Sequence, residues 1–174
     1  MFDVTFWLTA LRVLHVFAAI ILVGFIVFNA LVLQPALNRI PPAQATVIAQ
    51  KVGSGLLWWG TGALIILGLT GFVRLWLIGN LANFFSVAFL ISPYGRWVWL
   101  MALAWLVLFV VGLLSAHWYL NVLSTKLEYS AGLRDLEEKR QEQERVTWWQ
   151  DRLYYVNVVT AFLAALGGAM ARFY

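Results

Sequence analysis

His15, Met101 and Met170 are the residues of this chain whose types and positions best suit metal chemistry. His15 lies inside a long apolar stretch, and ionisable side chains within membrane-crossing stretches generally mark functional sites. Met101 and Met170 lie near the ends of two further apolar stretches, on the face of the membrane that His15 also approaches. Thioethers combined with an imidazole suit Cu(I) among the common metals. The three residues therefore predict a candidate copper site.

His117 is the second histidine and a candidate ligand for a different cofactor. A histidine inside a helical membrane bundle can be an axial ligand of haem, so His15 or His117 could hold a haem b. At the rise of an α-helix, His15 lies about 14 Å along its span and His117 about 30 Å along a parallel one. We therefore do not expect one chain to bind one iron through both histidines.

Each histidine also has a purely structural interpretation. His15 can be a neutral imidazole that hydrogen-bonds a neighbouring helix, as polar side chains in membrane bundles often do. His117 stands next to Trp118 and Tyr119. Aromatic residues of this kind concentrate at the membrane–water interface, so His117 can be a simple interfacial residue.

Several classes of active site are missing from the sequence. The apolar stretches contain no Asp or Glu, which excludes the intramembrane carboxylate relays typical of pumps. The glycine pairs at 53–55 and 60–62 lack the pattern of a phosphate-binding loop. Cysteine is absent, and no serine or histidine stands in a recognisable nucleophile arrangement. An enzyme of ordinary hydrolytic or transferase type is not expected.

The elements that position these residues follow from the distribution of charge. The chain of 174 residues is 63% hydrophobic and 11% charged, whereas soluble domains carry about 25% charged residues. A helix needs roughly 17–25 apolar residues to cross a bilayer. Four stretches without any Asp, Glu, Lys or Arg satisfy this length: 13–38, 52–73, 97–125 and 153–171. The sequence predicts an all-α integral membrane four-helix up-down bundle, a single transmembrane domain over 1–174 with spans at about 6–33, 56–78, 97–122 and 153–172.

The connections between the spans carry their own signals. Prolines end or begin helices, so we expect the first span to stop near Gln34-Pro35 and the second to follow a polar helical lead-in at 43–51. The segment 81–91 is predicted to be interfacial or re-entrant, and Pro93-Tyr94-Gly95 to be the turn into the third span. The charged segment 126–151 is expected outside the membrane. Within it, residues 133–150 should form a helix that runs into the fourth span, as part of a helical hairpin extension.

Lys and Arg are distributed unequally between the two faces of the predicted bundle. The first and third connections carry Arg39, Lys51, Lys126, Arg134, Lys139, Arg140, Arg145 and Arg152, against Arg12, Arg74, Arg96 and Arg172 on the other face. This bias predicts that the first and third connections lie in the cytoplasm and both termini outside. The net charge of +4 forms no basic face, so nucleic acid is not an expected partner. The expected partners are the lipid bilayer and either other membrane subunits or a second copy of the chain.

Three stretches of the sequence carry a family resemblance: LHVFAAIILVGFIVFNALVLQPAL at 14–37, WWGTGALIILGLTGF at 58–72 and DRLYYVNVVTAF at 151–162. Their order resembles the membrane domain of the CopD-like (copper resistance protein D type) family and its small four-helix relatives. The resemblance implies a four-helix membrane fold and copper handling. By position it singles out His15, Pro35, Thr70-Gly71 and Asn157.

Three functions remain open from the sequence. The first is copper handling by a CopD-like membrane protein at a site that includes His15. The second is electron transfer through a haem b held by His15 or His117. The third is an accessory subunit without a cofactor, which would dock a larger membrane complex through its aromatic faces and the charged helix at 133–150.

Overall fold

The computed structural model describes residues 3–118, 120–121 and 133–171. This part of the chain contains helices and no strand, which confirms the prediction of an all-α protein. Four helices are long, and two short ones, Gln34–Leu37 (α2) and Val87–Ile91 (α4), lie in the connections. The long helices are Val4–Phe28 (α1), Pro42–Leu77 (α3), Pro93–Trp118 (α5) and Leu133–Met170 (α6).

The first apolar stretch remains helical past its proline. A π-helical turn at Asn29–Leu33 joins α1 to α2, so that one helical element covers Val4–Leu37. In this turn the Gln34 N–H donates to the Asn29 carbonyl, five residues back. Pro35 has no N–H, and its ring crowds the carbonyl one turn earlier, so the wider π turn accommodates the proline. The helix therefore continues past the predicted stop near Gln34-Pro35.

Prolines begin two of the long helices. Pro42 stands in the first turn of α3, where its missing N–H leaves no hydrogen bond unmade, and the polar lead-in continues directly into the second span. Pro93 likewise opens α5, with the Gly95 N–H donating to the Ser92 hydroxyl over 2.9 Å. Pro93-Tyr94-Gly95 is thus the first turn of the helix and not a turn before it. The predicted start of this helix, at about residue 97, is therefore too late. A proline can end one element or begin the next, so the sequence alone does not fix the boundary.

The segment between α3 and α5 folds against the start of α5. Only Val87–Ile91 of it is helical. The Trp99 indole N–H donates to the Phe84 carbonyl over 2.9 Å, and the two rings stack with centroids 4.5 Å apart. Gly95 passes so close to the Phe89 carbonyl that a Cβ at this position would overlap it. The predicted interfacial segment is therefore a short capped helix that covers one end of α5.

Helix α6 joins the charged segment to the fourth apolar stretch without a break, as predicted. The other half of the predicted hairpin, at 122–132, lies outside the described residues, as does the predicted end of the fourth span at Arg172.

The helices pack in pairs around a small apolar core. Helix α1 contacts α3 and α6, and α5 contacts the same two helices. The core takes residues from all four: Ala18, Leu22, Ala63, Leu64, Leu108 and Ala161. Large apolar side chains cover the outside, for example Ile20, Leu69 and Phe162, each more than 60% exposed. Such a surface suits lipid, and the described residues include four elements that are long and apolar enough to cross a membrane, as expected of a membrane protein.

Candidate functional site

His15 extends the core-facing stripe of α1. Ala18 and Leu22, three and seven residues further on, are both buried in the core, and these spacings return to the same helix face. The half-buried imidazole therefore points between the helices. It contacts Thr70 of α3, which is only 3% exposed. The His15 Nδ1 and the Thr70 Oγ1 lie 2.7 Å apart, so this pair joins α1 to α3.

The surroundings of Thr70 assign the tautomer of His15. The Thr70 hydroxyl lies 2.6 Å from the Ile66 carbonyl and 3.2 Å from the Leu67 carbonyl. Carbonyl oxygens only accept, so the single hydroxyl hydrogen is donated to the backbone of α3. With its hydrogen directed to the backbone, the hydroxyl oxygen is an acceptor for His15, and on this basis we assign the tautomer with hydrogen on Nδ1. In a neutral imidazole with hydrogen on Nδ1, Nε2 has a free lone pair. A ring nitrogen in this state can bind a metal ion.

Two further polar side chains lie at this end of the helices. Arg74, one turn beyond Thr70 on α3, is close enough to act electrostatically on both His15 and Tyr94. Its Nε is buried and has no hydrogen-bond partner among the described residues. We call His15, Thr70, Arg74 and Tyr94 the polar layer. It combines an imidazole lone pair with a guanidinium whose donors are not all used.

The backbone of α3 leaves room for the imidazole ring. A Cβ added at Gly71 would lie 3.8 Å from the His15 Cε1, which is an ordinary van der Waals distance. Gly71 therefore lets the ring lie against α3 without requiring a glycine at this position.

Met101 and Met170 belong to the contact between α5 and α6. Met101 lies seven residues before the buried Leu108, on the same core-facing stripe of α5. A Cβ at Gly168 would lie 3.6 Å from the Met101 sulfur, and one at Gly167 only 3.0 Å from the Trp97 carbonyl. Met170 is half-buried two residues further along α6. The structure thus brings Met101 to the same part of α6 as Met170, whereas His15 bonds to α3.

The packing of α3 on α5 sets the relative depth of these residues. Trp105 stands opposite Gly68, and the two helices run antiparallel. At 1.5 Å per residue, Thr70 lies about 3 Å beyond Gly68 and Met101 about 6 Å beyond Trp105 in the same direction. Met101 and the partner of His15 are therefore at nearly the same depth, on neighbouring helices.

His117 lies at the opposite end of the bundle and differs from His15 in its surroundings. It is exposed, and the Asn121 Nδ2 lies 3.1 Å from its Nδ1 and 2.9 Å from its carbonyl oxygen. Gly112 packs opposite Leu64, with a Cβ position 3.1 Å from the Leu64 Cδ1. From this contact, Thr70 lies six residues towards one end of the bundle and His117 five residues towards the other. Thr70, which bonds His15, and His117 are therefore about 16 Å apart along the bundle. This separation is incompatible with both histidines binding one iron within one chain.

The described residues contain no group of three or more His, Cys, Asp or Glu side chains that could hold a metal ion. A metal at the polar layer would therefore depend on the His15 imidazole and on thioethers, which is the donor set that suits Cu(I). The positive charge of Arg74 opposes any bare cation there. The imidazole and thioether donors fit Cu(I), and an anion bound with the copper would offset the positive charge of Arg74.

An apolar cavity of about 390 Å³ opens between α1 and α3. Its lining includes Phe17, Trp58, Trp59 and Ile66. These side chains offer neither a metal ligand nor an acid or base. The polar layer, and not this cavity, is the candidate functional site.

Sequence reasoning found some members of the site and missed others. His15 was predicted from the residues themselves, and Thr70-Gly71 from the family resemblance. The sequence places Arg74 on the same membrane face as His15, as an orientation signal whose charge would repel a cation, and it places Tyr94 in a predicted turn. The missed signal is that no Asp or Glu occurs between residues 4 and 127, so an arginine inside this region has no carboxylate nearby in the sequence.

The remaining residues that the resemblance singled out lie away from the polar layer. Pro35 follows the π turn in α2, and Asn157 is half-buried on α6, one turn before the buried Ala161. Comparison of the chain with protein-family models, with curated proteins and with solved structures found no match.

Proposed function

We propose that this chain is a multi-pass protein of CopD-like architecture, an up-down bundle in a bacterial plasma membrane, that handles copper at the polar layer. One observation carries the proposal. The His15 Nδ1 lies 2.7 Å from the Thr70 Oγ1, which lies 2.6 Å from the Ile66 carbonyl, and the tautomer assigned from this geometry leaves the Nε2 lone pair available. Metal-binding histidines characteristically donate their other N–H to a second group that fixes the ring, and Thr70 supplies that group.

The thioethers and the family resemblance support the same site. Met101 lies at nearly the depth of Thr70 and packs against α6 close to Met170. The CopD-like resemblance singles out both partners of the hydrogen bond, His15 and Thr70, although the two residues are far apart in the sequence. The contact between them thus agrees with a shared role in this family.

Cu(I) affinity tests the proposal directly. The purified protein is titrated under reducing conditions against a chromogenic Cu(I) chelator, together with His15→Ala and His117→Ala. We expect the wild type and His117→Ala to withdraw copper from the chelator and His15→Ala to lose this ability. Equal affinity in wild type and His15→Ala, or no binding by either, would remove copper from the account.

A haem b carrier is the second candidate, and the charge of Arg74 favours it. Haem iron would bind the His15 Nε2, while a guanidinium with an unused donor suits the carboxylates of the haem better than it suits a bare cation. The visible spectrum separates the candidates. A Soret band that disappears in His15→Ala selects haem, and stoichiometric copper without this band selects the first proposal. If the protein shows neither a Soret band nor bound copper, the remaining candidate is the accessory subunit, with the charged part of α6 as its docking element.

The proposed orientation has its own test, because the chain contains no cysteine. A single cysteine is placed at Gln141, which is exposed on the charged part of α6, or at the exposed Asp3. With the connections that carry most Lys and Arg in the cytoplasm, an impermeant thiol reagent should label the Asp3 position in intact cells and not the Gln141 position. The reverse pattern would overturn the orientation.

A further inference from the structure

We propose that Arg74 and Tyr94 form a binding site for an oxyanion, the carboxylate or phosphate group of a ligand. Arg74 would supply a pair of N–H donors and Tyr94 a hydroxyl donor. This site goes beyond the proposed copper function and does not depend on it, because Arg74 needs a counter-charge whatever His15 binds.

Among the residues that the structure describes, no Asp or Glu is placed near Arg74. Residues 4 to 127 contain no Asp or Glu. Asp3 is exposed and accepts a hydrogen bond from the Thr5 hydroxyl. The nearest acidic residue of α6 in sequence, Asp151, precedes Gly168 by 17 positions, or about 25 Å of helix. Since Gly168 lies at the level of the polar layer, the acidic part of α6 is far from Arg74.

Arg96, at the same end of the bundle, is an arginine whose side-chain donors have an acceptor within the chain. Its Nε and Nη2 both donate to the Ile91 carbonyl, over 3.1 and 2.9 Å. The Arg74 Nε, by contrast, is buried without a partner among the described residues. A buried donor that lacks a partner is costly, and the cost is greater for a charged group. A ligand acceptor at this point would remove it.

The shape of the donors favours an oxyanion over a halide. The Nε–H and one terminal N–H of a guanidinium form a planar fork that matches two oxygens of a carboxylate or phosphate. Counted from the contact between Gly68 and Trp105, Arg74 lies about 9 Å and Tyr94 about 16 Å towards the same end of the bundle. The Tyr94 ring packs edge-on against Phe89 of α4, with centroids 6.0 Å apart. The segment that holds α4 thus shields the tyrosine side of the site, which strengthens charge-assisted hydrogen bonds there.

The test uses the full chain, free of metal, in a neutral maltoside detergent. The thermal midpoint is measured against increasing sodium acetate or phosphate, with sodium chloride at equal ionic strength as reference. A second series adds phosphatidylglycerol, with an uncharged galactolipid as reference. The variants are Arg74→Gln and the matched control Arg12→Gln, which removes an exposed arginine from the same end. A ligand of the folded state raises the midpoint in proportion to its occupancy.

We expect the midpoint of wild type and Arg12→Gln to rise above the references, and Arg74→Gln to lose the rise. A rise with acetate or phosphate identifies a water-soluble source, and a rise with phosphatidylglycerol alone identifies a lipid headgroup. No rise above the references in either series, or an equal rise in Arg74→Gln, overturns the site. If Arg74→Gln does not fold, Arg74→Lys and Tyr94→Phe replace it, and each should bind the same anion severalfold more weakly. Wild-type affinity in both would equally overturn the site.

Discussion

Two neighbouring parts of α3 contact other helices in opposite ways. Around Gly68, the indole of Trp105 fills the space that a side chain would take, and its N–H donates to the Leu64 carbonyl over 2.9 Å. Less than two turns later, Thr70 bonds His15, and Arg74 keeps an unbonded buried Nε. In the first contact the indole N–H has its acceptor within the chain. In the second, the Arg74 Nε has no acceptor among the described residues.

The difference separates holding the helices together from acting on a ligand. Polar groups without partners are expensive in a membrane interior, because no water is present to bond them. The contact at Gly68 avoids this cost by matching its one indole donor to one carbonyl. The polar layer carries the cost, and a ligand that bonds the free groups would offset it. We therefore assign the contact at Gly68 to helix packing, and His15 and Arg74 to ligand binding.

Adding one methyl group at Gly68 should have the largest effect on stability. A Cβ there would lie 2.5 Å from the Trp105 Cζ2, and the indole cannot withdraw without losing its bond to Leu64. We expect Gly68→Ala to lower the free energy of unfolding by roughly 1–3 kcal/mol, as overpacking does. Unfolding by SDS in mixed micelles, followed by circular dichroism, measures this change.

Gly60→Ala is the matched control, since no atom lies within 4 Å of a Cβ at Gly60 on the same helix. Its stability should equal or slightly exceed that of the wild type, because alanine favours helix. Equal stabilities of the two alanine variants would contradict the role given to Gly68.

Removing the hydroxyl of Thr70 should affect the ligand more than the fold. Thr70→Val keeps the shape of the side chain but deprives the His15 Nδ1–H of its acceptor. We expect about 1 kcal/mol less stability and a loss of ligand affinity of about 10- to 100-fold, typical of partners that orient a metal-binding histidine. Thr70→Ser, which keeps the hydroxyl, should retain the affinity. Unchanged affinity in Thr70→Val would show that the hydrogen bond has no part in ligand binding.

His117→Ala should have the smallest effect of the three. The side chain is exposed, and its partner among the described residues, Asn121, lies one turn away on the same stretch of chain. We expect the free energy of unfolding to change by no more than about 0.5 kcal/mol, as for most surface substitutions. Copper content and the visible spectrum should match the wild type. A lost cofactor in this variant would move the site to the other end of the bundle.

The spans were predictable because their signal is local. Long stretches without charge identify four membrane helices whatever their neighbours are. The helix ends were less predictable, because Pro35 is accommodated by a π turn and Pro93 begins a helix. A proline alone does not distinguish a helix end from a helix start.

The site was only partly predictable because it depends on how the helices are rotated against one another. An intramembrane histidine is conspicuous in a sequence, so His15 could be named. Its contact with Thr70 is a property of two helix faces, and no spacing within either helix determines it. Arg74 belongs to the site because α3 turns it inward, whereas in the sequence it resembles any arginine near the end of a span.

The tautomer and ligand of His15 decide whether the polar layer is a metal site. Nitrogen-15 NMR of protein labelled only in its histidines is recorded before and after addition of Cu(I), and His117→Ala assigns the two rings. We predict that His15 is protonated at Nδ1 and that copper shifts its Nε2 resonance while His117 is unaffected. A His15 protonated at Nε2, or a copper-dependent shift at His117 alone, would contradict the account.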